Sequence, residues 1–228
     1  MERGDMMKKV LLFIAMLLLV LGASMAVFAA SVSYGPYSVP LTNTDWTTSI
    51  LLQQFDPSLG TLNSISFTLD GHAEGTAKFE SEDLSPTTVT MDLSAILELQ
   101  RPDLTNLVVT IPVVSTSDDV TAYDNVFDYG GTSGRTYTNL SANKSESATT
   151  SSASDKTLFT GTGFITLPVV GNGASTGSGG GNLTTQFTTQ ASASASVTYD
   201  YTAVPEPGSL LALASGLLPL GLLIRRKR

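Results

Sequence analysis

The sequence predicts an all-β body, an antiparallel β-sandwich with a closed β-barrel as the alternative, between an N-terminal signal peptide and a single C-terminal transmembrane helix. Three observations carry this. Thr87 to Gln100 sets Val89, Met91, Leu93, Ala95, Leu97 and Leu99 at every second position against Thr88, Thr90, Asp92, Ser94, Glu98 and Gln100, with only Ile96 out of step. A helix would scatter that apolar set around its circumference, so the period is that of a strand. Turn signals recur between such runs, and each end of the chain carries a short apolar run beside cations. The expected division is 1–29, 30–203 and 204–228.

The first segment has Lys8 and Lys9, then an unbroken apolar stretch from Val10 to Leu21, then small residues at Gly22, Ala23, Ser24 and Ala26. That order is the order of a secretory signal peptide. Val27-Phe28-Ala29 puts acceptable side chains where signal peptidase reads them, which places the cut after Ala29.

Between the two ends the chain reads as strands. Ser31 to Pro40 is extended, and Trp46 to Gln54 mixes threonine with Ile50, Leu51 and Leu52. Phe55 to Gly60 supplies proline and glycine for a turn. Ile65, Phe67 and Leu69 then share a face; Asp70-Gly71 reads as the turn of a hairpin, with a return strand through Ala77 and Phe79. After Thr87 to Gln100, Arg101-Pro102-Asp103 turns the chain into the β-branched run Leu107 to Val114. Phe159, Ile165, Leu167 and Val169 share one parity, as do Phe187, Ala191, Ala193, Ala195, Val197, Tyr199 and Tyr201. Two stretches, Thr138 to Asp155 and Gly171 to Asn182, are dominated by small and hydroxyl residues and read as long surface loops. They are also the expected sites of any glycan, more so than the sequons at Asn139, Asn143 and Asn182.

The last segment is Val204-Pro205-Glu206-Pro207-Gly208-Ser209, the apolar run Leu210 to Ile224, and Arg225-Arg226-Lys227-Arg228. At about 1.5 Å per helical residue, Gly208 to Ile224 spans roughly 25 Å, just enough for a thin bilayer. Four cations at its end belong on the cytoplasmic side, which puts everything before Pro205 outside. Pro205 and Pro207 hold the tripeptide extended and accessible ahead of the helix.

Pro205, Glu206 and Pro207, the short apolar helix and the basic end together resemble the PEP-CTERM sorting signal of Gram-negative bacteria. The resemblance implies an inner-membrane-anchored precursor handled by an exosortase at that tripeptide, with signal peptidase acting at the other end, and a product at the cell surface or outside the cell. The body is similar to the choice-of-anchor E domain in Gln54-Phe55-Asp56-Pro57-Ser58-Leu59-Gly60-Thr61-Leu62, Val113-Val114-Ser115-Thr116-Ser117-Asp118 and Leu158-Phe159-Thr160-Gly161-Thr162-Gly163. That implies an exported module with an interchangeable anchor and brings no activity or functional residue with it.

Charge and composition narrow the function. The chain carries a net charge of −8, and residues 30–207 hold five basic and 18 acidic side chains, an excess of 13 negative charges. Such a surface repels nucleic acid and anionic headgroups. With no cysteine the body has no disulfide and no thiol nucleophile, and a Cys/His zinc site is excluded. His72, the single histidine, is expected in the Asp70-Gly71 turn rather than in catalysis. Asp118, Asp119, Asp124 and Asp128 lie close in sequence and are weak candidates for a calcium site, although the EF-hand order and its closing glutamate are missing. Gly130 to Arg135 lacks the Lys-Ser/Thr ending of a phosphate cradle and reads as a turn.

The expectation is therefore a non-enzymatic structural or adhesive surface protein needing no cofactor. The alternatives are an exopolysaccharide-binding module, for which Trp46, Tyr123, Tyr129 and Tyr137 are candidate platforms, and a glycoside hydrolase using two carboxylates roughly 5 to 10 Å apart.

Overall fold

The computed structural model describes residues 29–204. The strands are β1 (Ala29–Asn43), β2 (Trp46–Gln53), β3 (Gly60–Ser81), β4 (Thr87–Gln100), β5 (Asn106–Thr110), β6 (Val113–Val120), β7 (Gly134–Thr150), β8 (Phe164–Gly173), β9 (Thr176–Ser178) and β10 (Leu183–Ala203). A 3-10 turn spans Pro57–Leu59, and one short helix, α1, spans Ala153–Phe159.

Two compact units divide these residues. Residues 31–57 and 62–201 hold two sheets: one ordered β1-β10-β3-β7, the other β2-β8-β4-β5, with β6 and β9 also paired to β4. The architecture is sandwich-like and predominantly antiparallel, and neither sheet closes into a barrel. Residues 29–30, 58–61 and 202–204 fall in a second, smaller unit. There Val204 N–H donates to Leu59 C=O at 3.1 Å, and Gly60 has φ +150°, where a Cβ would lie 2.0 Å from the Thr202 carbonyl oxygen.

The core follows from the alternation. All six apolar residues of β4 from Val89 to Leu99 are fully buried: Leu93 to Leu99 pack with Ile65, Phe67 and Leu69 of β3 and Ala191 to Tyr199 of β10, while Val89 and Met91 join Ala77, Phe79 and Val120 in a second cluster. Small alanines on β10 admit larger side chains from the opposite sheet. Each fully buried Leu, Ile or Phe contributes about 1.5–3 kcal/mol relative to exposure. Tyr199 fills the space beside Phe55 and Tyr34, and its hydroxyl donates to Gln53 C=O at 2.8 Å. Burial, with the nearby Tyr37 and Tyr34 hydroxyls, raises its pKa.

Five expectations are corrected. Asp70-Gly71 is not a turn: β3 runs unbroken for 22 residues, and Asp70 and Gly71 pair with Ser145 and Lys144. The glycine is there for close approach, since a Cβ would come within 2.7 Å of Leu97 Cδ1 and Thr110 Cγ2 across the sandwich. Thr138 to Asp155 is not a long loop. Most of it is β7, in which threonine and serine form cross-strand pairs such as Ser66 with Thr149 and Thr68 with Ser147, each at 2.8 Å. β8 runs on to Gly173, and β9 takes part of the other expected loop.

Phe159 does not belong to a strand either: it ends α1, whose first turn is capped by Ser152 Oγ accepting from Asp155 N–H at 3.1 Å. The Leu107 to Val114 run is two strands, broken at Ile111-Pro112 because proline cannot donate to the ladder. Among the described residues no helix is long and apolar enough to cross a membrane. The expected signal peptide and C-terminal helix lie outside them, except Ala29, which is exposed at the start of β1.

Candidate functional site

On β3 the inward positions are apolar or glycine, so Asp70, His72 and Glu74 must point outward. Beside them β10 offers Ser192 and Ser194, whose short side chains leave a depression between taller neighbours. The result is a groove of about 480 Å³ on the outer face of the first sheet, lined by Ser38, Asp70, His72, Asn143, Ser192 and Ser194 among others. A second depression of about 500 Å³ lies on the same sheet between Glu74, Thr76, Asn139, Ser141, Thr188 and Gln190.

His72 stands between the two. Its Nδ1 lies 2.8 Å from Asn143 Oδ1 and its Nε2 3.1 Å from Glu74 Oε2, so both ring nitrogens are engaged and the ring is fixed on the strand. Sequence reasoning put His72 in a turn because Asp-Gly is a strong turn signal; the even-numbered parity of Ser66, Thr68 and Asp70 was the signal that could have placed it on a strand. Asp70 and Glu74 are four residues apart on one strand, about 13 Å between backbones. Glu74 turns toward His72. The groove combines serine hydroxyls and the Asn143 amide with Asp70, His72 and Lys144, and Val39, Pro40 and Leu41 add an apolar wall.

The four aromatic candidates do not form one platform. Trp46 covers Gly171, where a Cβ would lie 2.4 Å from the indole, and packs on the core. Tyr137 packs on Phe79 at a centroid distance of 6.3 Å and donates to the Asp118 carboxylate. Tyr123 and Tyr129 lie in the 121–133 connection, where Phe127, half exposed and not anticipated, meets the Tyr129 ring edge at 5.2 Å.

That connection is held by carboxylates. Glu80, fully buried, accepts from Ser133 Oγ at 2.6 Å, Tyr129 N–H at 2.8 Å and Asp128 N–H at 3.4 Å. Asp124 accepts from the N–H groups of Val126 and Thr132, which hold its pKa below the usual carboxylate range. Asp128 accepts from Gly130 N–H at 2.8 Å, and Asp119 from Thr88 Oγ1 at 2.6 Å. The four calcium candidates are thus engaged one by one, and among the described residues no three His, Cys, Asp or Glu side chains gather as a metal site. Gly130 to Ser133 turns the chain, closed by Gly134 N–H to Gly130 C=O at 2.7 Å, and Gly134 and Arg135 begin β7. Pro205, Glu206, Pro207, Arg225, Arg226, Lys227 and Arg228 lie outside the described residues.

No family model matches the chain, and no curated protein matches it. Solved structures give distant similarities. The structure of infectious bursal disease virus Gx strain is 14% identical at a TM-score of 0.17, over 89% of this chain and 46% of that one. The infectious bursal disease virus VP2 subviral particle is 11% identical at 0.19, over 81% and 43%. Maize chlorotic mottle virus is 15% identical at 0.15, over 78% and 97%. The chain spans less than half the length of the two infectious bursal disease virus chains.

Proposed function

We propose that this chain is an exported bacterial surface protein whose β-sandwich body has a structural or adhesive role, and whose C-terminal segment is a sorting signal of the PEP-CTERM kind. The observation that carries the reading is the order of the sequence: two lysines and an apolar run, an acidic body resembling a choice-of-anchor E domain, then Pro205-Glu206-Pro207, a second apolar run and four cations. Pro219, Gly216 and Gly221 weaken the second run as a lasting anchor and are tolerable in a segment read once by a membrane enzyme. Replacing Pro205-Glu206-Pro207 by three alanines should trap the full chain in the membrane with its signal peptide removed, whereas the wild type loses its arginine-rich end and leaves the inner membrane. Identical fractionation of both, with Arg228 intact in a host that has an exosortase, defeats the reading.

A second reading is favoured by the groove around His72: the body binds exopolysaccharide through hydroxyl and amide contacts. Affinity electrophoresis in gels containing the host's exopolysaccharide tests it. His72→Ala with Asn143→Ala should abolish retardation of the wild type, and an unretarded wild type rejects the reading.

A further inference from the structure

Four borders limit the two sheets: β1 and β7 in the first, β2 and the β5–β6 side of β4 in the second. An edge strand presents unpaired N–H and C=O groups, and proteins blunt such edges with proline, charge, bulges or shortness. β1 contains Pro36 and Pro40, with Gly35 at φ +112°. β7 carries Arg135, Lys144 and Glu146, and opposite Gly75 and Ala77 its register shifts near Asn139, which has φ +58°. β6 carries Asp118 and Asp119, and β5 has only five residues. β2, with eight residues, has no proline and no charge.

The open groups of β2 can be assigned. Gln54 N–H donates to Gly163 C=O at 3.0 Å, continuing the β8 ladder, whereas Gln53 N–H turns the other way to the Tyr37 hydroxyl at 3.2 Å. Alternation along an antiparallel ladder then directs the N–H and C=O of Thr47, Ser49 and Leu51 to the open side. Leu51 is 59% exposed and Phe164 62%. Phe164 pairs with Gln53 and Thr166 with Leu51, so the two apolar side chains are diagonal neighbours on the outer face beside this edge.

We propose that β2 is a self-association edge, at which a second copy of this chain lays its own β2 antiparallel about a two-fold axis through Ser49, continuing the β2-β8-β4 sheet across two molecules. Charge limits where a second copy can meet this one. The acidic body makes two copies repel over most of their surface, and β2 lets them meet without opposing like charges. The two-fold pairing is self-complementary: Ser49 faces Ser49, and Thr47 of one copy stands opposite Leu51 of the other, so all three outward residues exchange backbone hydrogen bonds.

Sedimentation of the full chain in detergent tests this. Wild type should be a dimer. Ser49→Pro removes an N–H that does not bond β8, and Leu51→Asp adds an acid to each side of a seam between two acidic bodies; each should weaken dimerisation at least about tenfold with an unchanged circular dichroism spectrum. If Ser49→Pro does not fold, Leu51→Asp decides. Because the chain has no cysteine, Ser49→Cys can form a disulfide only between molecules, and the expected backbone separation of about 5.5 Å permits it. Thr149→Cys, exposed on the other sheet, should not cross-link. A monomeric wild type, a dimer equally stable in the folded variants, equal cross-linking at both cysteines, or Ser49→Cys joining only another protein overturns the proposal.

Discussion

Asp155 and Arg101 meet through two parallel hydrogen bonds, Arg101 Nε to Oδ1 at 2.7 Å and Nη2 to Oδ2 at 2.9 Å. This pair fastens the first turn of α1 to the turn between β4 and β5. Thr150 Oγ1 donates to the same carboxylate at 2.7 Å, and Asp155 N–H caps onto Ser152. With its side chain only 4% exposed, Asp155 has few ways to replace these bonds with water.

The first prediction concerns acid. The Arg101 hydrogen bonds, opposed by burial and aided by Thr150 and Ser152, lower the Asp155 pKa from its ordinary value to about 2. A carboxylate depressed in this way stabilises the fold at pH above its unfolded pKa, and that stabilisation fades as pH falls through the folded value. The contribution is about 2 kcal/mol, lost from about pH 4 downward to pH 2 and below. Urea unfolding across that window should be steeper in pH for the wild type than for Asp155→Asn; parallel losses would remove Asp155 from the explanation.

The second concerns the arginine. Arg101→Ala strands a nearly buried carboxylate and should cost about 2–4 kcal/mol, while Arg101→Lys, able to supply charge but not the two-pronged geometry, should recover only part of it. Equal midpoints for alanine and lysine in denaturant melts would show that a cation on a flexible stem recovers nothing here, against the expected partial rescue.

The third separates two glycines that sequence treats alike. At Gly71 a Cβ meets the ends of flexible side chains, Leu97 and Thr110, at 2.7 Å; at Gly75 it meets the backbone carbonyl oxygen of Thr188 at 1.9 Å. Side chains can turn aside, but a paired strand cannot move without losing its ladder. Gly71→Ala should therefore cost about 1–3 kcal/mol and Gly75→Ala more than about 3. Thermal melts showing the reverse order would refute the close-approach account of both residues.

These residues also show where the sequence was legible. β4 was readable to its end residues because one face is wholly apolar and the other polar but for Ile96, and period 2 has no competing interpretation there. Gly71 misled because glycine after aspartate is common in turns, and only the opposite sheet reveals that the missing Cβ makes room for Leu97. β7 was hidden for a related reason: an edge strand buries little, so Ser141, Ser145 and Ser147 carry no apolar alternation, and its pairing with β3 is a tertiary fact. α1 was missed: Ser152-Ala153-Ser154-Asp155 holds a helix-start signal, a serine followed three residues later by an acid, but it lies inside a stretch whose small and hydroxyl residues read as loop. The groove was not, since Ser38, His72, Asn143 and Ser192 come from four separate strands whose order in the sheet sequence alone does not reveal.

The last prediction concerns the connection from 121 to 133. Glu80 has no cation in its hydrogen-bond set; its carboxylate is satisfied by Ser133 Oγ and the N–H groups of Tyr129 and Asp128, so β3 itself supplies the template on which the connection is wound. Glu80→Ala removes the acceptors and leaves buried donors unpaired, at about 1–3 kcal/mol for each group not rescued by water. Glu80→Gln keeps one acceptor oxygen and should fall between. Glu80 follows Phe79 of the second cluster, whereas Leu93, Leu97 and Phe67 lie in the first, so the damage should be local: hydrogen exchange should accelerate at Tyr129 and its neighbours in Glu80→Ala while the amides of β4 from Leu93 to Leu99 stay protected. If exchange rises to the same extent in both segments, Glu80 supports the whole sandwich and not this connection.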